Sequence, residues 1–325
     1  RDLVRSRGLG DVYKRQGSAF GSTRRGIAYA YSDKYKKKTL RLGDLLHLDK
    51  PHIQSRLKTM LEYKNLELGG CYHQAPMSYP ALLSWCEKKA EQFAPYITDT
   101  GNYIAAALSN HQKVVLEAQL GAMRDIDYGI FPYTSSSSTI SAYGPIGAGI
   151  PGTLPDHIVG VLKAYSTCVG AGPFTAEKAM PEKWMESLRK SGGEYGAATG
   201  RPRRVGPFDA VASAYGLKCQ NADKIALTKL DVLSHMDEIP VITSYKLNDE
   251  IITEFDPLDD LDSMTPVIQM LPGWNTDISK CRKYEELPEN ARKYIETLEH
   301  LLNHEIQFIS VGAERNQYLT KGEWL

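Results

Sequence analysis

Residues 223–231, DKIALTKLD, decide the fold class, because they place a short apolar run between charged residues. Runs of this kind are typical of buried parallel strands that end at a polar loop. Comparable runs occur at KVVLEAQ (113–119), HIVGVLKAY (157–165), EIPVITSY (238–245), TPVIQMLP (265–272) and IQFISVG (306–312). We predict that each is a buried strand and that the strands are mostly parallel.

Amphipathic segments alternate with these runs. Residues 50–66 and 78–97 carry apolar residues at helical spacing, and three further helices are predicted at 180–192, 208–221 and 287–304. Alternating strands and helices predict an α/β fold with a mostly parallel central sheet flanked by helices. In such folds ligands bind beyond the carboxyl ends of the strands. The functional residues should therefore follow the apolar runs.

Composition limits the classes of partner. Lysine plus arginine number 39 and aspartate plus glutamate number 39, so no strong overall field attracts nucleic acid or an anionic membrane. We expect neither as a partner. The five cysteines are scattered and form no CxxC pair, which favours buried thiols in a reducing compartment and predicts a cytoplasmic location. No apolar run reaches the length of a membrane span.

The most specific candidate site follows the run IALT. Guanine presents N1–H and an exocyclic amino group side by side, and the carboxylate of Asp231 can accept from both. The aliphatic stem of Lys229 can cover the face of the base. The alternative is an ordinary strand end with two solvated charges.

Two further stretches suit anions. Residues 196–206, GAATGRPRRVG, place three arginines between glycines, and arginine grips carboxylate and phosphate with two parallel hydrogen bonds. A basic surface turn or a nucleic-acid patch is the alternative. Residues 134–139, TSSSST, offer six consecutive hydroxyl groups that could donate to phosphate oxygens, or they form a flexible linker.

In order and spacing, these segments resemble the adenylosuccinate synthetases. The resemblance rests on GSTRRGI (21–27), AYSDK (30–34), residues 117–139 and 163–177, EYGAATGRPRRVGPFD (194–209), ALTKLDVL (226–233), LPGW (271–274) and ISVGAER (309–315). It implies a fold related to P-loop GTPases. It also implies a homodimeric, GTP-dependent ligase that joins inosine monophosphate (IMP) to L-aspartate through 6-phosphoryl-IMP, with Mg²⁺ bridging the nucleotide.

The resemblance also assigns substrate-binding residues. For GTP it implies Arg203, Lys229, Leu230, Asp231, Ser310, Val311 and Gly312. For L-aspartate it implies Ala197, Ala198, Thr199, Gly200, Arg201, Pro202 and Arg203. For IMP it implies Thr23, Lys37, Gln119, Ser135 and Arg201.

Four positions depart from the family pattern. Lys37 stands where many members have an arginine that reaches the partner's IMP, although Lys36 and Lys38 compete for that alignment. Ala198 replaces a common threonine, so a family member that joins a different amino acid to IMP is an alternative. Cys168 replaces a common arginine. A gapless alignment on DID (125–127) puts Leu120 rather than Gln119 at the position of the family glutamine.

Residues 10–16, GDVYKRQ, share three residues with the family's phosphate loop GDEGKGK but lie only 12 positions before Thr23, counted from Asp11. Val12, Tyr13 and Arg15 put side chains where phosphate needs bare backbone N–H groups. We therefore expect residues 1–16 to be a non-native leader. Residues 17–325 would then be a synthetase domain without the first strands, the phosphate loop, the catalytic Asp and His, and the Mg²⁺ ligands.

On this interpretation no catalytic or metal-binding residue is retained, and the chain is expected to be inactive as a ligase. The competing hypothesis is a non-catalytic module that binds guanine nucleotides. The arginine loop and the hydroxyl run favour the synthetase, because a switch protein needs neither.

Overall fold

A computed structural model describes residues 26–196, 200–322 and 324. The chain divides into two compact units. The first contains residues 1–117, 135–137 and 144–153, and the second contains residues 118–134, 138–143 and 154–325. Thr23, Ala197, Ala198, Thr199 and the whole of GDVYKRQ lie outside the described residues.

The described part of the first unit is helical. Its helices are α1 (Ile27–Tyr35), α2 (Pro51–Tyr72), α3 (Tyr79–Phe93) and α4 (Thr100–Ser109), with 3₁₀ turns at Leu42–His47 and Ala94–Tyr96. Helix α5 (Tyr143–Ala148) begins in the second unit and continues in the first. The two predicted helices correspond to α2 and α3, and both begin with proline in the first turn, where its missing N–H costs nothing.

The second unit contains all the described strands. They are β1 (Val159–Lys163), β2 (Ser166–Cys168), β3 (Arg204–Gly206), β4 (Phe208–Asp209), β5 (Lys224–Thr228), β6 (Glu238–Leu247), β7 (Glu250–Ile252), β8 (Thr265–Pro272), β9 (Phe308–Ser310) and β10 (Tyr318–Thr320). Its helices are α6 (Glu182–Ser191), α7 (Ala210–Gln220) and α8 (Glu289–Leu302), with 3₁₀ turns at Ala122–Arg124, Thr175–Lys178, Leu230–Leu233 and Tyr284–Glu286. Over the described ranges, no helix combines the length and the apolar character that crossing a membrane requires.

The sheet that positions the site has the strand order β1-β5-β9-β10. Strand β5 pairs in parallel with β1 on one side and β9 on the other, and β10 closes the edge antiparallel to β9. Ile225, Leu227 and Ile309 are fully buried in it, in one core with Leu217 of α7 and Leu298 of α8. The predicted α/β fold with a mostly parallel sheet is confirmed by this arrangement.

Two of the predicted parallel strands have the wrong direction. EIPVITSY and TPVIQMLP correspond to β6 and β8, which pair antiparallel to each other. Strand β6 also pairs antiparallel with β7, and in parallel with the two-residue strand β4. Between β6 and β7 lie two residues, Asn248 and Asp249, with φ of 48° and 70°. Positive φ at both central residues is the geometry of a tight hairpin turn, and so short a turn joins only antiparallel strands. Burial of β6 on both faces gave it the composition of a parallel strand.

KVVLEAQ was also predicted wrongly, because it is not a strand in the structure. None of the described strands pairs with residues 113–119, and Val115 is 89% exposed. A β-branched composition suits a strand, but a strand also needs a neighbour for its backbone hydrogen bonds.

Candidate nucleotide site

Two segments predicted to contact guanine lie at the same edge of the sheet. In the parallel register Leu227 of β5 faces Ile309 of β9, so Lys229 and Ser310 both lie at the carboxyl ends of their strands. Lys163 of β1 is paired with Thr228 at the same level. Three neighbouring parallel strands thus direct their ends to one edge, where α/β proteins bind ligands.

The backbone bends sharply directly after β5. Lys229 has a left-handed conformation with φ of 62°, which is uncommon for a residue with a side chain and often marks a functional position. Leu230 is fully buried and begins the following 3₁₀ turn, which contains Asp231. This turn leads the chain away from the sheet while Lys229 and Asp231 stay at its edge.

The side chains at this edge meet on Glu194, which is fully buried. Its Oε1 atom accepts from Lys163 Nζ at 3.0 Å, from Tyr165 OH at 2.7 Å and from Lys229 Nζ at 3.1 Å. Its Oε2 atom accepts from Arg203 Nη1 at 2.8 Å. Three cations and a phenol therefore share one carboxylate.

The closely spaced charges around Glu194 shift the pKa values of Glu194 and Lys163. Burial alone would raise the pKa of Glu194, but hydrogen bonds from Tyr165, Lys163 and Lys229 bring it down to about 2. Burial lowers the pKa of Lys163, Glu194 raises it, and the nearby charges of Lys229 and Arg203 lower it. The net shift for Lys163 is downward, because one carboxylate does not compensate burial and two further cations. An additional anion at this edge would relieve that repulsion.

In the arginine loop (residues 196–206), Pro202 forms an antiparallel bridge with Tyr195, which directly precedes the loop. Gly196 N–H donates to the carbonyl of Arg201 at 2.8 Å. Arg201 is exposed, together with Gly200 and Pro202. The loop thus offers Arg201 to solvent while Arg203, at its base, is anchored to Glu194.

Arg204 and Cys168 lie opposite each other in the β2–β3 pair. Arg204 forms a two-pronged ion pair with Glu177, with Nε to Oε2 at 2.6 Å. Cys168, where an arginine is common in the family, lies 2.8 Å from Nη2 of Arg124. Arg124 also donates to the carbonyls of Val169 and Tyr133, and so fixes the glycine-bearing loop after β2.

The carboxyl ends of β5 and β9 differ in their chemistry. Burial raises the pKa of Asp231 above its ordinary value, the charge of Lys229 lowers it, and that of Asp277 raises it. At the end of β9, Val311 is buried and Ser310 Oγ donates to the carbonyl of Gly312 at 3.0 Å. Asp231 supplies a carboxylate, and the β9 end supplies a compact backbone turn.

A side chain at Gly312 would collide with its neighbour. A Cβ atom there would lie 2.3 Å from Oε1 of Gln317, which is held by Glu314 N–H at 2.8 Å. The carbonyl of Gln317 in turn accepts from Val311 N–H at 2.9 Å. Glycine at 312 therefore keeps this turn close to the sheet edge.

The hydroxyl run is anchored rather than a free linker. In the second unit Asp125 is fully buried and accepts from Thr139 N–H at 2.6 Å and from Ser138 Oγ at 3.1 Å. Burial raises the pKa of Asp125, but these bonds and two more from Asp127 and Tyr128 hold it below its ordinary value. In the first unit Ser135 Oγ lies 3.0 Å from Ser137 Oγ.

The remaining IMP candidates are on the surface. Lys37 is exposed and has φ of 60°, just after the end of α1. Its neighbours Lys36 and Lys38 both lie over the ring of Tyr63, at 5.6 and 3.4 Å from its centroid. Gln119 is exposed as well. These positions leave Lys37 as the lysine of the three that does not pack on Tyr63.

Sequence reasoning missed Glu194 and Lys163. Lys163 is a charged residue inside the apolar run HIVGVLKAY, which is a signal that it faces a polar partner at the strand end. Glu194 had no such signal, because one acidic residue beside a glycine pair resembles a solvated turn. Within residues 26–196, 200–322 and 324, no three His, Cys, Asp or Glu side chains come together as a possible metal site.

The chain is thus an α/β protein with a buried carboxylate and a cation cluster at the carboxyl edge of a parallel sheet, the edge at which such folds bind ligands. A sequence model of the adenylosuccinate synthetase family matches residues 8–319. The chain belongs to the adenylosuccinate synthetase family, whose members are ligases of purine biosynthesis.

Individual relatives agree with this assignment. The chain is 41% identical over 298 residues to the adenylosuccinate synthetase of Carboxydothermus hydrogenoformans, covering 91% of this chain and 69% of the relative. It is 37% identical over 313 residues to that of Thermomicrobium roseum, covering 95% and 72%. It also resembles the solved structure of fully ligated adenylosuccinate synthetase from Plasmodium falciparum, with a TM-score of 0.86, 32% identity, and coverage of 96% of this chain and 73% of that one.

Proposed function

We propose that this chain carries the substrate subsites of a GTP-dependent ligase that joins IMP to L-aspartate. In the proposed reaction O6 of IMP attacks the γ-phosphate of GTP and GDP leaves. The amine of aspartate then displaces phosphate from C6 of 6-phosphoryl-IMP, which gives adenylosuccinate and inorganic phosphate. Family membership supports the class of reaction, and the sheet edge supports the guanine subsite.

The observation that carries the proposal is the meeting of the β5 and β9 ends. Asp231, half-buried beside Lys229, accepts from N1–H and the amino group of guanine. The Lys229 stem covers the base while its amino group is held by Glu194. Ser310, Val311 and Gly312 border the base from the next strand. Leu230 anchors the turn from within the core.

The cation cluster supports anionic substrates. Arg203 and Lys229 are each about one third exposed, so their charges are accessible from the sheet edge. The proposed aspartate subsite contains Gly200, Arg201, Pro202 and Arg203 together with Ala197, Ala198 and Thr199, which lie outside the described residues. An exposed arginine fork at 201 suits the two carboxylates of aspartate.

The proposed IMP subsite comprises Ser135, Gln119, Arg201 and Thr23, and Lys37 would reach it from the other protomer of a homodimer. Exposure of Lys37 beyond the end of α1, with Lys36 and Lys38 packed on Tyr63, supports its choice among the three lysines. A lysine there keeps the positive charge and loses the planar fork of arginine.

Magnesium is part of the proposed reaction, as in nucleotide-dependent phosphoryl transfer generally. The described residues provide no cluster of three candidate ligands, so none of them is assigned to the metal. The general acid and base are likewise not assigned to any described residue. We propose a cytoplasmic location because no disulfide joins any of the five cysteines, all of which lie in described segments.

The guanine subsite is tested by nucleotide preference. Binding of GTP, inosine triphosphate (ITP) and xanthosine triphosphate (XTP) to the chain would be measured by competition with a fluorescent GTP analogue. ITP lacks the amino group, so we expect it to bind about tenfold more weakly than GTP, as for a lost hydrogen bond to a charged group. In Asp231→Asn the amide accepts from N1–H and donates to O2 of xanthine, so preference should move from GTP to XTP.

Asp277→Asn is the matched control, because Asp277 is an exposed carboxylate whose charge acts on Asp231. It should leave the preference for GTP unchanged. Equal binding of GTP and ITP by the unaltered chain would contradict the guanine subsite.

Ligase activity itself is a separate question. We expect no adenylosuccinate from this chain, because none of the described residues is assigned as general acid, general base or Mg²⁺ ligand. Adenylosuccinate in an assay with all three substrates and Mg²⁺ would disprove that expectation. L-Aspartate binding that requires IMP would support the ligase, whereas GTP binding without it would favour the non-catalytic module.

A further inference from the structure

Glu194 joins three parts of the second unit through one side chain. Lys163 and Tyr165 come from the end of β1, Arg203 from the base of the arginine loop, and Lys229 from the turn after β5. The carboxylate is fully buried, whereas the three cations are each about one third exposed. The acidic group is thus the interior anchor, and the cations extend from it toward the edge.

We propose that Glu194 is a positioning residue that sets Arg203 and Lys229 in place for the nucleotide without touching it. The proposal rests on the function proposed above, since it deepens the guanine subsite. Tyr165 and Lys163 fix the carboxylate to the sheet, because Tyr165 is 2% exposed and Lys163 belongs to β1. Through Glu194, the arginine loop and the turn after β5 are therefore both attached to strand β1.

Lys229 depends most on this anchor. Its backbone is left-handed at φ 62°, and its amino group donates to Glu194 Oε1 and to the carbonyl of Gly192 at 2.6 Å. With the amino group held inward, the aliphatic stem lies along the edge where a base would stack. Without the carboxylate, repulsion from Lys163 and Arg203 drives the amino group away, and the stem moves with it.

The position of Arg203 also depends on Glu194, through two hydrogen bonds. Its Nη1 donates to Glu194 Oε2, and its backbone N–H donates to the Glu194 carbonyl at 2.9 Å. The base of the arginine loop is therefore attached to Glu194 through both side chain and backbone. A glutamine at 194 keeps the backbone bond and the volume of the side chain but turns an N–H₂ group toward the cations.

The experiment compares GTP and ITP binding in variants of the full chain. Glu194→Gln should weaken binding of both nucleotides by about tenfold, the lower end of the loss seen when the hydrogen-bond partner of a metal ligand is removed. The ratio of the two affinities should stay as in the unaltered chain, because Asp231 still distinguishes the amino group. Glu177→Gln is the matched control, since it removes the carboxylate partner of the adjacent Arg204 and should leave both affinities unchanged.

A double-mutant cycle separates positioning from general damage. If Glu194 acts through Lys229 and Arg203, adding Glu194→Gln to the Lys229→Met/Arg203→Met variant should weaken binding by no more than about twofold. Additive losses would overturn the proposal. If Glu194→Gln does not fold by circular dichroism, Glu194→Asp takes its place, because it keeps the charge on a side chain too short to reach all four donors.

The outcomes also distinguish failure of the positioning role of Glu194 from failure of the proposed guanine subsite. A folded position-194 variant that binds GTP as tightly as the unaltered chain overturns the positioning role and leaves the guanine subsite intact. An unaltered chain that binds neither GTP nor ITP overturns both.

Discussion

Replacing Asp209 with asparagine should make the second unit more stable at neutral pH. Asp209 ends β4 and caps α7, where its Oδ1 accepts from Ala212 N–H at 3.0 Å. It is 5% exposed, and Tyr245 OH donates to it at 2.8 and 2.7 Å. Asparagine is as good a helix cap as aspartate and keeps an acceptor for both partners.

The magnitude follows from burial of the charge. Burial raises the pKa of Asp209 from 3.8 to about 6, although the bonds from Ala212 and Tyr245 oppose the rise. The folded protein then holds a proton that the unfolded chain releases, so stability is greatest below pH 3.8 and falls as pH rises toward 6. The rise in the pKa of Asp209 from 3.8 to about 6 corresponds to a loss of about 3 kcal/mol in the free energy of unfolding between low and neutral pH. Asp209→Asn should remove this pH dependence and recover about 1–3 kcal/mol at pH 7.

The assay is urea unfolding at pH 4.5, 5.5 and 7, followed by tryptophan fluorescence. All proteins would carry Trp85→Phe, because Trp85 lies in the first unit and the other three tryptophans, Trp184, Trp274 and Trp324, lie in the second. Stability of the parent should decline over this range and that of Asp209→Asn should change less. A variant less stable than its parent at pH 7, with an equally steep pH dependence, would refute the reasoning.

Three further predictions concern the second unit. Gly312→Ala should displace Gln317 and weaken GTP binding by about tenfold in the competition assay, while leaving the thermal midpoint nearly unchanged. Asp125→Ala removes the acceptor of four hydrogen bonds and should lower the free energy of unfolding in urea by about 3 kcal/mol. An unchanged free energy of unfolding would mean that these bonds are not formed in solution. Asp249→Gly should stabilise the β6–β7 turn by about 0.5 kcal/mol, because its φ is 70° and its ion pair with Lys246 is exposed; a destabilised variant would contradict this turn geometry.

The strand ends could be predicted because their signal is local. IALTKLD and IQFISVG each combine an apolar run with a polar or glycine closure, and such runs in a parallel sheet end at the same edge. Nothing more is needed to bring Asp231 and Ser310 to one side of the fold. The register that pairs Leu227 with Ile309 supplies the detail that sequence leaves open.

Strand direction and pairing were not predictable from composition. Strand β6 is buried along most of its length, so it has the apolar pattern of a parallel strand, yet β7 and β8 run antiparallel to it and only the two residues of β4 pair with it in parallel. For β7 the available signal is the pair Asn248-Asp249, a turn signal that the sequence interpretation did not use. For KVVLEAQ the composition was equally persuasive, but pairing depends on a second segment and is not encoded in the run itself.

The role of Glu194 could not be predicted from the sequence for a different reason. A buried carboxylate is recognised by its partners, and these lie 31, 29, 9 and 35 positions away in the chain. Such a network forms only after three segments have packed, so no spacing rule describes it. The lone charge of Lys163 inside an apolar run was the one available signal that a buried anion lies nearby.

The network at Glu194 is difficult to explain as a source of stability. Replacing buried ion pairs by apolar residues of similar volume is often neutral or stabilising, whereas removing one partner of such a pair costs about 3–5 kcal/mol. That asymmetry means that Arg203 or Lys229 cannot withdraw from Glu194 without leaving the buried carboxylate less compensated. The arginine loop and the turn after β5 are therefore energetically linked through Glu194, so ordering of one segment by a ligand favours the ordered position of the other.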